Sequence, residues 1–185
     1  MESLPEVFRK ITAFLNKEQY DYLLIGGIAV GALGDPRMTQ DIDFCLFVSK
    51  AQIKNLLKKA KDEGFGFQEK EVSSRIRETG TFQIRCGSYH IDFLIASTDF
   101  EKTALRRRQR LKVYGTEAYF PTAEDMILFK IVPARHIDLA DIEGIVARKG
   151  AELDREYLLD WAQRLSDEAQ DTRIYNDIKK LIAVK

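Results

Sequence analysis

Two aspartates two residues apart, Asp41 and Asp43, open the apolar run Asp41-Ile42-Asp43-Phe44-Cys45-Leu46-Phe47-Val48, which reads as a strand. Strand side chains alternate with a period of two, so the two carboxylates share one face while Ile42, Phe44 and Leu46 share the other. Like charges held that close raise each other's pKa unless something positive sits between them. A divalent cation is the simplest remedy, and Mg²⁺ takes one or two carboxylates together with substrate phosphates. A third acid would complete a two-metal centre. Asp92 is the candidate, a lone acid flanked by Ile91 and Phe93 where unpaired carboxylates are rare. It falls in the second half of Gly80 to Ile95, which reads as a hairpin turning at Cys86-Gly87-Ser88-Tyr89. If that strand lies beside the Asp41 strand, Asp92 joins the pair. The alternative is a partner for Asp92 in Arg85, across the hairpin, or in His90 on the same strand face.

The elements that must position these acids begin upstream. Tyr22-Leu23-Leu24-Ile25 reads as a buried strand, Gly26-Gly27 breaks it, and Ile28 to Leu33 opens a helix whose N-terminal amides could face a phosphate. With Arg37 and Thr39 between the glycines and the acids, this suggests a nucleotide-handling metal site. The bland readings are that glycine punctuates any strand-to-helix turn and that Thr39 caps a turn or bonds Asp41. The chain order expected is a leading helix (Pro5 to Lys17), strand, helix, the Asp41 strand, a helix from about Lys50 to Glu63, and several antiparallel strands, with helices to the end. Residues Phe65 to Val72 and Ser73 to Thr79 mix glycine and charge, which blurs their period and suggests a mobile flap. From Thr122 onward the apolar positions Met126, Ile127, Phe129 and Ile131, then Ile137, Ile142, Ile145 and Val146, then Tyr157, Leu158, Trp161 and Leu165, recur at helical spacing. They are expected to pack as core rather than line a cofactor slot.

The glycine pair after a strand, the Asp-x-Asp of the next strand and the lone later Asp resemble the signature of the DNA polymerase beta-like nucleotidyltransferase superfamily. The form Gly26-Gly27-Ile28-Ala29 through Arg37-Met38-Thr39-Gln40-Asp41-Ile42-Asp43 looks most like its small bacterial branch, the AbiEii-like nucleotidyltransferases. Pro121-Thr122-Ala123-Glu124-Asp125-Met126-Ile127-Leu128-Phe129-Lys130 resembles that group's lysine-bearing helix, with Thr122 and Asp125 as a capping pair. Arg135 to Ile142 resembles the following helix. Its two acids, Asp138 and Asp141, are expected to stabilise the helix start. Many relatives carry Gly-Ser where this chain has Gly26-Gly27, and often a lysine where it has Ile137.

The resemblance implies an α+β, α/β-like fold: a mixed nucleotidyltransferase sheet flanked by helices, with residues 1–120 as catalytic core and 121–185 as a C-terminal helical part, or one single domain. It implies that Asp41, Asp43 and Asp92 hold Mg²⁺ or Mn²⁺, with Asp92 near the attacking hydroxyl. Gly26 and Gly27 would cradle the triphosphate, Thr39 would stand by it, and Arg37 and Lys130 would neutralise phosphate, Lys130 projecting into the cleft. The implied chemistry is transfer of a nucleoside monophosphate from an NTP to an acceptor hydroxyl with release of pyrophosphate. The acceptor is open among RNA, protein side chains and small aminoglycoside-like or lincosamide-like molecules, and a toxin role would bring a cognate antitoxin. A catalytically silent nucleotide- or partner-binding module of the same fold is the alternative.

Composition sets outer bounds. The 185 residues carry 29 basic and 29 acidic side chains, so no global field draws the chain to nucleic acid or membrane. The one strong charge run, Arg106-Arg107-Arg108-Gln109-Arg110, is either a local polynucleotide contact or a solvated helix end preceding the strand Leu111 to Tyr114. Cys45 and Cys86 are too few for a disulfide framework and lack metal-ligand spacing, so a reducing cytoplasm is expected. Two histidines make a histidine zinc site or a serine triad unexpected. No stretch approaches the roughly 20 apolar residues of a membrane span, and Met1 to Glu6 does not read as an export signal.

Overall fold

The computed structural model describes residues 2–183; Met1 and residues 184–185 lie outside the described residues. The elements run α1 (Leu4–Lys17), β1 (Asp21–Ile25), α2 (Gly26–Leu33), β2 (Asp41–Phe47), α3 (Lys50–Asp62), α4 (Glu69–Thr79), β3 (Thr81–Cys86), β4 (Tyr89–Ile95), α5 (Asp99–Arg106), β5 (Gln109–Val113), β6 (Thr116–Phe120), α6 (Ala123–Ile131), α7 (His136–Lys149), α8 (Arg155–Ala169) and α9 (Arg173–Ala183). The main sheet has the order β1-β2-β4-β3, and β5-β6 form a separate hairpin. β1 and β2 pair antiparallel, β2 and β4 parallel, and β3 and β4 antiparallel. This is the mixed α+β architecture expected from the sequence.

The alternation of the strands explains how the sheet is seated. Leu24, Phe44, Phe93 and Phe82 lie side by side across all four strands, and all are buried. Phe44 stacks on Phe93 with ring centroids 5.6 Å apart, and Phe93 on Phe82 at 4.6 Å. This aromatic row, with Ile42, Leu46, Ile84 and Ile91 beside it, belongs to one continuous core that takes in Val7, Phe8 and Ile11 of α1 and reaches Ile174 and Ile178 of α9. Trp161 is buried there too, edge-on to Phe100 at 5.4 Å, a packing residue as expected.

Two segments differ from expectation. Residues 69–79 form the helix α4 rather than strands or a flap. Glu69 and Glu71 in its first turn and Arg77 in its last suit the helix dipole, Val72 is buried, and Gly80 ends it in the left-handed conformation (φ 67°) that glycine adopts freely. A two-residue stripe, Val72 and Ile76, was too short for its period to show. The second is α5, whose start is a capping box: Glu101 N–H donates to Thr98 Oγ1 at 3.2 Å, and Thr98 N–H donates back to Glu101 Oε2 at 2.7 Å. The hairpin turn falls at Gly87-Ser88 as read, and β5 begins at Gln109 and ends at Val113, with Tyr114 and Gly115 turning into β6 at positive φ.

Because Phe93 contacts the rings on either side, its truncation is expected to leave a cavity at the centre of the sheet. Phe93→Ala should lower the free energy of unfolding by about 3–5 kcal/mol, measured by urea denaturation with an unchanged m-value.

Candidate active site

The face of the main sheet opposite the aromatic row carries the acids. Asp43 lies directly beside Asp92, and Asp41 beside His90; on the outer strand Gln83 opposes Asp92 and Arg85 opposes His90. The three predicted carboxylates are therefore brought to one face at one end of the sheet. Further along the same face the next positions are apolar: Leu23 and Cys45 pack under Ala104 of α5, with Leu94 against them. α5 closes that end and leaves the acidic end open.

Gly26 and Gly27 sit against this end for identifiable reasons. Gly26 has φ 69°, and a Cβ built on it would lie 1.9 Å from Asp43 Oδ2, so only glycine lets the turn into α2 pass over that carboxylate. A Cβ on Gly27 would meet Thr39 Cβ and Oγ1 at 2.9 Å and Arg37 Nη1 at 3.3 Å. Thr39 thus stands where the serine of a Gly-Ser pair would, and its hydroxyl donates to the Asp41 carbonyl at 3.2 Å. The amides opening α2 face the same end as the acids.

Burial pushes the Asp43 carboxyl up to about 6, with the Asp92 and Asp41 charges adding to the rise and Lys130 and Arg37 opposing it. Asp92 is also raised, first by burial, against the hydrogen bonds it accepts from Gln83 and the charge of Arg75. Gln83 Nε2 reaches the two Asp92 oxygens at 2.9 and 3.1 Å, and Arg75 of α4 stands 3.7 Å away. These, rather than Arg85 or His90, are its partners. The acids share one negative face, and their hard oxygens are the kind of donor that a divalent cation such as Mg²⁺ takes. As placed, no group of three His, Cys, Asp or Glu side chains among the described residues could hold a metal ion.

The cationic side of the site is not the free lysine read from the sequence. Lys130 is only 6% exposed, because its Nζ is held 2.9 Å from Asp138 Oδ1 and 3.0 Å from Asp141 Oδ2. It does not project into an open cleft, and its charge reaches Asp43 from within the fold. Arg37 grips Asp141 with both prongs, at 2.8 and 3.2 Å, and Arg135 grips Asp138 at 2.7 and 3.1 Å. Asp138 does help start α7, accepting from the Arg135 amide at 3.1 Å, but it and Asp141 also compensate the cations, a role that spacing alone did not reveal. Burial raises the Asp138 carboxyl, yet the hydrogen bonds from Arg135 and Lys130 outweigh this and bring it down to about 2.

The arginine run begins as a solvated helix end, with Arg106 exposed in the last turn of α5, and the arginines that follow pair with acids. Arg107 lies over the Tyr157 ring at 3.8 Å and pairs with Asp125 and Glu124 at 3.2 and 3.3 Å. Arg108 pairs with Asp21 at 2.8 Å and Arg110 with Glu117 at 3.2 Å. The Arg107 pairs are partly buried, whereas those of Arg108 and Arg110 lie at the surface, where ion pairs are weak. No described helix is long and apolar enough to cross a membrane.

A family model described as nucleotidyltransferase of unknown function (DUF6036) matches residues 2–183, and the chain belongs to that family. It is an enzyme of the nucleotidyltransferase class. No curated protein matches it in sequence. Among solved structures it resembles ANT(2″)-Ia in complex with adenylyl-2″-tobramycin, at 17% identity and TM-score 0.58 over 80% of this chain and 90% of that one. It also resembles the lincosamide antibiotic adenylyltransferase LnuA with lincomycin bound, at 14% identity and TM-score 0.51 over 77% and 98%. An antigenic nucleotidyltransferase-like protein from Paracoccidioides brasiliensis matches at 15% identity and TM-score 0.50 over 98% and 93%. At these identities the likeness is one of fold.

Two outcomes follow from the charges. A carboxyl whose folded pKa lies above its unfolded value penalises the fold once it ionises. The metal-free protein should therefore lose stability through Asp43 between about pH 4 and 6, by up to about 3 kcal/mol. Chemical denaturation across that range should show the loss, and Asp43→Asn should remove it. Lys130→Met would leave Asp138 and Asp141 short of a buried partner and should cost about 3–5 kcal/mol in the same assay.

Proposed function

We propose that this nucleotidyltransferase is metal-dependent and moves a nucleoside monophosphate from an NTP to the hydroxyl of a small-molecule acceptor. The observation that carries the reading is the pairing of Asp43 with Asp92 across the β2–β4 seam, with Gly26 folded over Asp43 so closely that no side chain fits between them. Carboxylates crowded to this degree suit a site whose working state contains cations. In this reading residues 1–120 carry the acids and glycines, and residues 121–185 supply Lys130. The Arg37-x-Thr39-x-Asp41-x-Asp43 run and the Lys130, Asp138 and Asp141 set support a relation to the AbiEii-like branch.

Asp41, Asp43 and Asp92 would hold Mg²⁺ or Mn²⁺. When bound, the cations supply Lewis-acid stabilisation of charge on the entering and leaving oxygens. The amides at Gly26 and Gly27 take the triphosphate. Arg37, whose side chain is 30% exposed, can turn from Asp141 to a phosphate, while Lys130 contributes a fixed positive potential from beneath. The acceptor oxygen attacks the α-phosphorus. A bond between them forms as the bond from phosphorus to the bridging oxygen breaks, pyrophosphate leaves with that electron pair, and the hydroxyl proton passes to Asp92.

A small acceptor is supported by the folds of ANT(2″)-Ia and LnuA, whose structures hold adenylyl-2″-tobramycin and lincomycin.

Thermal denaturation with each NTP, with and without Mg²⁺, tests the reading. A ligand at about 100 times its dissociation constant adds roughly 2.7 kcal/mol, so the preferred NTP should raise the midpoint only when Mg²⁺ is present. The Asp41→Ala, Asp43→Ala double variant should show no such rise. A rise that survives in the variant would mean that the nucleotide binds elsewhere and would sink the assignment.

A further inference from the structure

A second feature lies on the acidic face. Beside Asp92 lies an open cavity of about 180 Å³ bounded by Gly66, Phe67, Gln68, Glu71, Gln83, Arg85 and His90. Gln83 is its common wall with the site, since the same side chain bonds both Asp92 oxygens. Its other side is the start of α4, where Glu71 stands one helical turn from Arg75, the residue facing Asp92. His90 lines the cavity from β4; its Nδ1 is buried without a partner among the described residues and lies away from the open space.

We infer that this cavity is the acceptor pocket and that it takes one neutral or amino-bearing hydroxylated ring of sugar size, with the reacting hydroxyl presented to Asp92. The inference rests on the nucleotidyl-transfer reading above and gives that site its substrate class. Three properties of the cavity select the class. Its volume equals the liquid share of about six waters, room for a single ring and not for a folded polymer. Its lining is amide, imidazole, one carboxylate and one guanidinium, a set that matches hydroxyls one by one, and Glu71 is placed to receive an ammonium. Phe67 adds the only aromatic surface. A polynucleotide end would need several free cations along its backbone, and the pocket offers Arg85 alone beyond the Arg75 already facing Asp92.

Gly66 gives a clean way to close the pocket. A Cβ built there meets only the Arg85 carbonyl, at 4.0 Å. Its backbone does not sit in the left-handed region, and its N–H and C=O bonds to Arg85, both 2.8 Å, do not involve a side chain. Gly66→Val should therefore fold and fill space that a ring would occupy.

The test uses the full chain with Mg²⁺ and a non-hydrolysable NTP analogue. Saturation-transfer NMR then follows millimolar myo-inositol, D-glucosamine and methyl glucoside, with a short RNA oligonucleotide as the polymer probe. Ring protons of at least one small probe should receive saturation from the wild type. Gly66→Val should weaken that contact at least tenfold, and Glu71→Ala should do the same for glucosamine, while both variants keep the wild-type midpoint shift with nucleotide. The inference is overturned by no small probe in contact, by contact indifferent to Gly66→Val, or by RNA bound in preference and lost in Arg85→Ala. Ring contact in a protein that shows no magnesium-dependent nucleotide shift overturns the acceptor role by removing the transfer reading itself. A nucleotide shift without ring contact overturns the pocket and leaves transfer standing.

Discussion

The register between β2 and β4 is the constraint on which the rest depends. It sets Phe44 against Phe93 on one face and, one residue away, Asp43 against Asp92 on the other. Because the side-chain period is two, a slip of one residue would send carboxylates into the core and phenylalanines onto the open face. The stacked rings of Phe44, Phe93 and Phe82 hold that register against the repulsion of the acids behind them. Packing energy on one side of the sheet sustains an electrostatic strain on the other.

The strain is relieved in part by charges brought from far along the chain. Arg37, Asp141, Lys130, Asp138 and Arg135 form a continuous ion-paired string joining the loop before β2 to α6 and α7. Its inner members Asp141, Lys130 and Asp138 are buried and each left alone would be a desolvated charge, while Arg37 and Arg135 at its ends reach solvent. Close backbone contact reinforces it: a Cβ on Gly34 would lie 2.8 Å from the Ile145 amide, and Arg148 Nη1 donates to the Gly34 carbonyl at 2.9 Å. The C-terminal helices are in this way part of the electrostatics of the acidic face.

Legibility in the sequence followed range. The Asp41 and Asp43 pair, the glycine break, the Gly80 to Ile95 hairpin and the Thr122–Asp125 cap are local patterns, and each was found where read. The neighbourhood of Asp92 and Asp43 could be stated only as a condition, because no local pattern encodes a parallel pair. The duties of Lys130, Asp138 and Asp141 were hidden for the same reason: spacing shows a shared helical face and not what stands opposite it. The helix α4 was missed because Val72 and Ile76 make too brief a stripe among charged neighbours. The end of α5 is legible in the arginine run as a solvated helix end, and its start in the capping box that Thr98 and Glu101 spell, although the expected order of elements leaves it out.

The β2–β4 seam is the only parallel pairing in the main sheet among the described residues. It joins two units that can form early from nearby residues: β1 with α2 and β2, and α4 with the β3–β4 hairpin. The first carries the glycines and two of the acids, the second the remaining acid and its polar surroundings. Non-local pairings of this kind are late events in folding, so the seam closes after its halves. The set of three acids therefore exists only where the seam is closed: a chain with either half alone holds two of them or one.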